Sequence, residues 1–197
     1  MTAILKRQHG MTIVGQGGVI ILFTLPWLAA ALVVHRTWPQ FAALPAPSGV
    51  LAALAVAVLR PVGWALLMAG AALWGAAIVQ LLTGFSQGRL VTTGAYGVVR
   101  NPIYASAIWF LLPGTALATA TWVYLVPALA LYTGVMLFIG AEEQRMLAGY
   151  GEEYREYTQR VHRIVPFRRP AQAPQWRSER ATLSAARGAG DGHNSIA

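Results

Sequence analysis

The stretch YLVPALALYTGVMLFIGAEEQR, residues 124–145, joins a long apolar segment to two adjacent glutamates, Glu142 and Glu143. Glu142 is the first acidic residue in the chain, since residues 1–141 contain neither Asp nor Glu. A carboxylate in or beside the membrane hydrocarbon is energetically costly, and such groups usually mark functional sites. The stretch therefore predicts a membrane helix that ends at a candidate site.

Composition indicates that the chain is a polytopic membrane protein. Apolar residues make up 56% of the 197 positions and charged residues only 11%, and the apolar residues occur in long unbroken blocks. The chain has no cysteine, and its four histidines lack metal-ligand spacing, so no metal site is expected. The net charge of +8 comes from Lys and Arg at the ends of apolar blocks and in the C-terminal tail. This distribution predicts contact with a lipid bilayer and not with nucleic acid.

Segment length predicts the membrane crossings, because about 20 apolar residues are needed for each. Four segments qualify: 17–35, 61–82, 103–119 and 121–141. Residues 49–59 are too short, and Pro61 disfavours helix at Arg60, so they predict a separate re-entrant or interfacial segment. A fifth crossing over residues 42–59 stays open as an alternative. The predicted fold class is an all-α, polytopic membrane helix bundle with four to five transmembrane helices.

The distribution of basic residues predicts the orientation. With both termini in the cytoplasm, Lys6, Arg7, Arg89, Arg100 and the nine C-terminal arginines lie inside. Only Arg36 and Arg60 then lie outside, as the positive-inside rule expects. The prediction is an integral membrane protein, in a bacterial-type inner membrane or its equivalent, with cytoplasmic N- and C-termini.

This orientation brings two distant sequence features together. Asn is a favoured N-cap and Pro a favoured first helical residue, so Asn101 and Pro102 predict the cytoplasmic start of the third helix. A tight turn at 118–121 reverses the chain, and the fourth helix returns to Glu142 and Glu143. The hairpin thus places Arg100, Asn101 and Tyr104 level with the glutamates.

Small residues at Ala130 and Gly134 allow a close helix–helix approach in this hairpin region. At the cytoplasmic end, a helix N-terminus with Arg100 beside it attracts an anion, and the paired carboxylates attract cations or hydroxyls. The rings of Tyr96 and Tyr104 tolerate a positively charged group. A zwitterionic nucleoside such as S-adenosylmethionine matches all of these groups. Its carboxylate suits the helix end or Arg100, its ammonium and ribose hydroxyls suit the glutamates, and its sulfonium suits the aromatic rings.

Three strings resemble the isoprenylcysteine carboxyl methyltransferase family and its phospholipid methyltransferase relatives. They are GAYGVVRNPIY at 94–104, the glutamate pair, and GEEYREYTQRV at 151–161 followed by Pro166 and Phe167. The resemblance covers residues 88–167. It implies that S-adenosylmethionine binds from the cytosolic side, while a lipophilic or small methyl acceptor enters laterally from the membrane.

The resemblance also implies a set of site residues. Cofactor binding is expected of Tyr96, Arg100, Asn101, Pro102, Tyr104, Glu142, Glu143 and Tyr154. No catalytic nucleophile is predicted, and Glu142 and Arg145 are candidates for assisting the transfer. Asn101 stands where the family usually has His, so this position cannot carry a proton near neutral pH. Ala95 replaces the usual Pro of the loop.

The expected domain organisation is a single methyltransferase-like domain over 1–167, with its cofactor-binding part at 88–167, and a disordered basic tail over 168–197. Residues 141–163 carry apolar residues at helical spacing between charges, which predicts an amphipathic cytoplasmic helix on the membrane surface. In the methyltransferase interpretation this helix also closes over the cofactor.

Several alternatives remain at this point. The chain is also compatible with a membrane NADPH-dependent reductase of the sterol or 5-alpha-reductase type, or with a non-enzymatic membrane scaffold. Glu142 and Glu143 are alternatively ordinary interfacial charges, with Glu142 paired to Arg145. The acceptor is a carboxylate, an amine, a thiol or an isoprenoid-derived group, and neither it nor the oligomeric state follows from the sequence.

Overall fold

The computed structural model describes residues 17–44 and 49–165. Its helices are α1 (Gly17–Thr37), α2 (Pro39–Ala42), α3 (Val50–Ser86), α4 (Pro102–Ser106), α5 (Leu112–Ala118) and α6 (Leu125–Arg160). A π-helical segment, Ala107–Leu111, joins α4 to α5 without a break, and short 3-10 turns lie at Gly94–Gly97 and Trp122–Tyr124. Within the described ranges the only β-type pairing is two isolated bridges. The predicted all-α membrane bundle is confirmed.

Three helical stretches are long and apolar enough to cross a membrane: Gly17–Thr37, Val56–Gly84 and Trp122–Arg160. The combined helix Pro102–Ala118 is apolar but shorter. Its 17 residues rise about 25 Å, slightly less than the roughly 30 Å of a typical hydrocarbon core. All four predicted segments are therefore helical, and the third is the shortest.

The prediction of a separate re-entrant segment at 49–59 is wrong, because α3 runs continuously from Val50 through Pro61 to Ser86. Proline removes only one helical hydrogen bond, and membrane helices tolerate this loss when the helix continues on both sides. The described residues between α2 and α3 contain no separate fifth helix. At 37 residues α3 rises about 55 Å, so it is longer than a hydrocarbon core is thick.

The helices pack as two antiparallel pairs. In the first, α1 lies along α6, where Phe23 and Phe138 meet edge to face with ring centroids 5.7 Å apart. Gly134 makes this approach possible, because a Cβ there would lie 3.0 Å from the Phe23 ring. Gly134 thus allows a close approach, but to α1 and not, as predicted, to the other helix of the hairpin.

The second pair consists of α3 and the α4–α5 helix. The two backbones approach closely at Gly63 and Gly114, where a Cβ on Gly114 would lie 3.0 Å from the Gly63 carbonyl oxygen and 3.0 Å from the Leu67 nitrogen. Glycine is needed at both positions, because a Cβ on either one would meet backbone atoms of the facing helix. Because the pairs are antiparallel, the start of α1, the end of α3, the start of α4 and the charged part of α6 lie at the same end of the bundle.

Candidate functional site

The loop between α3 and α4 is held by a glutamine on α3. Two features favour glycine at position 94. Its φ is positive, at 61°, and a Cβ there would overlap the Gln80 side chain. The Ala95 N–H donates to Gln80 Oε1 at 3.0 Å. This bond places Tyr96, which is buried, at the inner wall of the site.

The start of α4 is tied to the part of the chain that follows Gly151, residues 152–165, which we call the tail and which is distinct from residues 168–197. Asn101 lies at the N-cap position and Pro102 follows as the first helical residue, as predicted. The Asn101 side chain makes no capping hydrogen bond; its Nδ2 instead donates to the Arg163 carbonyl at 3.1 Å. The backbone N–H of Arg100 donates to the His162 carbonyl at 2.8 Å. Asn101 therefore fastens the tail to the loop.

The end of α6 turns back over the loop. Gly151, with φ 56° and ψ −126°, breaks the helical course, and the chain becomes extended at Val161. Tyr154 and Tyr157 are 6% and 3% exposed, and the Tyr157 hydroxyl donates to the Tyr96 carbonyl at 2.7 Å. The predicted surface helix over 141–163 is thus wrong as one continuous element. The prediction that this segment covers the site agrees with the packing.

Two arginines hold Glu143. Arg163 donates to both carboxylate oxygens, at 3.0 Å from Nε and 2.5 Å from Nη2, and Arg100 Nη2 lies 3.1 Å from Oε1. The side chains of Glu143 and Arg100 are 18% and 13% exposed. The hydrogen bond to Glu143 is the main cause that raises the pKa of Arg163. Glu143 thus joins the loop, α6 and the tail in one ionic cluster.

Glu142 has a different environment from its neighbour. Its side chain is half-buried and faces the cavity, and no ion pair to it is found among the described residues. The ion pair with Arg145, which the alternative interpretation of the glutamates included, is not found; Arg145 is exposed and is not part of the cavity wall. Glu142 therefore remains available to a ligand.

A cavity of about 240 Å³ lies between these groups, a little below the roughly 300–1,000 Å³ typical of ligand sites. Seven of the predicted site residues line it: Tyr96, Arg100, Asn101, Tyr104, Glu142, Glu143 and Tyr154. Pro102 is fully buried and does not line the cavity.

The sequence did not predict the apolar residues of the cavity wall or two of the tyrosines that cover it. The additional lining residues are Gly17, Leu81, Leu82, Arg89, Leu90, Val91, Ile103, Ile139, Met146, Tyr150 and Tyr157. Tyr150 and Tyr157 share the helical spacing of Tyr154, which was a usable signal. Gly17, Leu81 and Arg163 carried no local signal, because only the packing of α1, α3 and the tail brings them to the site.

Some of the polar groups at the site have hydrogen-bond or ion-pair partners and others have none. Arg100 uses Nη2 for Glu143, while its Nε is buried and has no hydrogen-bond partner. Burial, followed by the nearby Glu142 carboxylate, raises the pKa of Tyr96 above its usual value, so the phenol stays protonated. The cavity wall thus carries a guanidinium group, a carboxylate without an ion pair among the described residues and a neutral phenol. These groups suit a ligand that carries both charges and hydroxyls.

Residues 62–153 match the family model described as phospholipid methyltransferase. Methanethiol S-methyltransferase 1 of Bradyrhizobium diazoefficiens is 35% identical over 83 residues, which cover 41% of this chain and 27% of that relative. No solved structure matches the chain. The resemblance inferred from the loop motif, the glutamate pair and the tail is confirmed.

Proposed function

We propose that this methyltransferase-type membrane protein binds S-adenosylmethionine in the cavity between α4, α6 and the tail and transfers its methyl group to a small membrane-soluble acceptor. The observation that carries the proposal is that Arg100 and Glu142 line the same cavity, and that Glu142 has no ion pair in the described part of the chain. One cavity thus offers separate groups for an anion and for a cation or diol. The family match to phospholipid methyltransferases supports the same chemistry.

The residues present fit this cofactor. The Arg100 guanidinium is suited to donate to its carboxylate, and Glu142 to accept from its ammonium or ribose hydroxyls. The faces of Tyr96 and Tyr104 favour a sulfonium ion. Glu143 acts indirectly, because its carboxylate is already occupied by two guanidinium groups and serves to hold Arg100 in place.

The cofactor, when bound, supplies an electrophilic methyl group. Direct displacement at such a carbon depends on alignment and on exclusion of water more than on a catalytic nucleophile. The tail provides the exclusion, since its residues Tyr154 and Tyr157 are buried against the loop. Asn101 has no proton-carrying role in this proposal; it positions the tail through Arg163.

We propose a thiol as the first acceptor to test. The related protein from Bradyrhizobium is named as a methyltransferase of methanethiol, and the lining of this cavity is largely apolar. A thiolate needs no further deprotonation, and a neutral thiol has Glu142 within the same cavity as a proton acceptor. We further propose that both termini are cytoplasmic, so that the cofactor enters from the side where it is made.

The test is cofactor binding by the full chain in nanodiscs, measured calorimetrically with S-adenosylmethionine and with NADPH. The wild type should bind the first and not the second. Glu142→Gln should weaken S-adenosylmethionine roughly ten- to a hundredfold, because a hydrogen bond to a charged group contributes about 1.5–3 kcal/mol. Glu152→Gln, on the exposed face beside Arg155, is the matched control and should bind normally.

Binding of NADPH alone would instead support the reductase, and binding of neither ligand would support the non-enzymatic scaffold. If S-adenosylmethionine binds equally well to Glu142→Gln and to the wild type, the assignment of Glu142 is wrong.

A further inference from the structure

Arg163 belongs to the ionic cluster of the site although it does not line the cavity. Its Nε and Nη2 donate to the two oxygens of Glu143, at 3.0 and 2.5 Å. This bidentate arrangement is a favoured geometry for a guanidinium and a carboxylate. Arg100 approaches the same carboxylate through Nη2, 3.1 Å from Oε1, and its Nε has no hydrogen-bond partner among the described residues. The arginine of the tail therefore holds Glu143 more completely than the arginine of the loop.

The backbone around Arg163 is fixed by contacts that its side chain does not make. The backbone N–H of Asn101 and its Nδ2 both donate to the Arg163 carbonyl, each at 3.1 Å. The carbonyl of His162, the preceding residue, accepts from the Arg100 N–H at 2.8 Å. Ile164, the following residue, is buried in the apolar core. We therefore expect the tail to stay attached when the Arg163 side chain is replaced.

The ionic cluster carries an excess of positive charge. Arg100 and Arg163 contribute two positive charges and Glu143 one negative charge, so one positive charge is not neutralised within the cluster. All three side chains are less than one third exposed, which limits screening by water. Of the two arginines, Arg100 lines the cavity and presents this charge to a ligand.

The Arg163 side chain limits how Arg100 pairs with Glu143. Without Arg163, both carboxylate oxygens would be free for Arg100, whose guanidinium prefers to bind two oxygens at once. That pairing would neutralise the remaining charge and turn the guanidinium towards Glu143. A cavity with this neutral pair in its wall would attract an anionic group less strongly.

Building on the proposed function, we propose that Arg163 is a positioning residue: by occupying both oxygens of Glu143, it keeps the Arg100 guanidinium available to the carboxylate of the cofactor. The contact links cofactor recognition to the tail, because the tail brings Arg163 to Glu143 as it covers the site. A ligand that carries a carboxylate benefits from this contact, whereas the same ligand without its carboxylate does not.

The first experiment compares S-adenosylmethionine with its decarboxylated form, by calorimetry on the full chain in nanodiscs. The two ligands differ only in the carboxylate. Arg163→Gln should weaken the first about tenfold and the second less than about twofold, because the lost interaction is a charge-assisted one to the carboxylate. Arg155→Gln is the matched control, since it removes an exposed arginine of the tail that pairs with exposed Glu152. Both ligands should bind this control as they bind the wild type.

The second experiment tests whether Arg163 acts through Arg100. In an Arg100→Gln background, Arg163→Gln should leave the ratio of the two affinities unchanged, because the guanidinium that Arg163 positions is absent. A similar change in this ratio in both backgrounds would show that Arg163 does not act through Arg100 and would overturn the inference.

Equal weakening of both ligands by Arg163→Gln would also overturn it, because a substitution that only loosens the tail affects the two ligands alike. An unchanged affinity for S-adenosylmethionine in Arg163→Gln would have the same consequence. Failure of the wild type to bind S-adenosylmethionine would instead overturn the proposed function.

Discussion

Glu142 and Glu143 are adjacent and chemically identical, yet the fold gives them different roles. Successive residues on a helix point about 100° apart, so the two side chains reach different neighbours. Glu143 meets Arg100 and Arg163, whereas Glu142 faces the cavity. One glutamate therefore contributes to stability and the other is available for binding.

This difference gives a prediction at the scale of single residues. Glu143→Gln should lower the free energy of unfolding by about 1–3 kcal/mol, because it leaves two partly buried guanidinium groups without their shared carboxylate. The measurement is thermal unfolding in detergent. Glu142→Gln should unfold close to the wild type, since no ion pair to Glu142 is found among the described residues. Equal destabilisation by both changes would show that the doublet acts as one unit.

At the scale of elements, the tail depends on one glycine. α6 includes Gly151, whose φ of 56° and ψ of −126° turn the chain so that Tyr154 and Tyr157 reach the loop. Few residues other than glycine adopt this conformation without strain. The same helix contains Gly140 in ordinary helical geometry, with open space around it, as at Gly151.

We therefore predict opposite effects for two alanine substitutions in α6. Gly151→Ala should destabilise the protein by about 1–3 kcal/mol through backbone strain alone. Gly140→Ala should be neutral or stabilise it by up to about 1 kcal/mol, because alanine favours helix. Thermal unfolding of both variants, with proteolytic sensitivity of the tail as a second readout, checks this prediction. A loss of stability in Gly140→Ala similar to that in Gly151→Ala would contradict it.

At the scale of the whole molecule, the bundle consists of two helix pairs with the cavity between their ends. The α3–α5 pair depends on Gly63 and Gly114, where backbone meets backbone. Gly114→Ala should cost about 1–3 kcal/mol, since inserted atoms force packed helices apart. Gly75→Ala, on the same helix as Gly63 but in open space, should not destabilise the fold. Thermal unfolding of Gly114→Ala and Gly75→Ala measures the difference. Equal melting temperatures of the two variants would contradict the close packing at Gly63 and Gly114.

The orientation of the bundle is also testable, because the chain has no cysteine of its own. Single cysteines at Gln87 and Thr119 lie at opposite ends of the bundle, after α3 and after α5. With both termini in the cytoplasm, a membrane-impermeant maleimide added to intact cells should label Thr119→Cys and not Gln87→Cys. The reverse pattern would place the cavity on the outer side.

The sequence by itself determined the membrane class, the helical fold, the loop motif and the glutamate pair. These follow from local properties: apolar length, the proline and asparagine at a helix start, and the absence of acidic residues before Glu142. Six of the eight predicted cofactor-binding residues line one cavity because an antiparallel hairpin places them level, and Tyr154 joins them through the turn at Gly151.

Only the tertiary structure decided how these groups are used. The continuity of α3 through Pro61 is not visible in the local sequence, since proline disfavours helix at the residue before it and the helix nevertheless continues on both sides. Arg163, Gly17 and Leu81 reach the site through contacts between residues far apart in the chain, which no sequence period records. The separate roles of Glu142 and Glu143 depend on which neighbours the folded helices place beside each carboxylate, and that is set by packing.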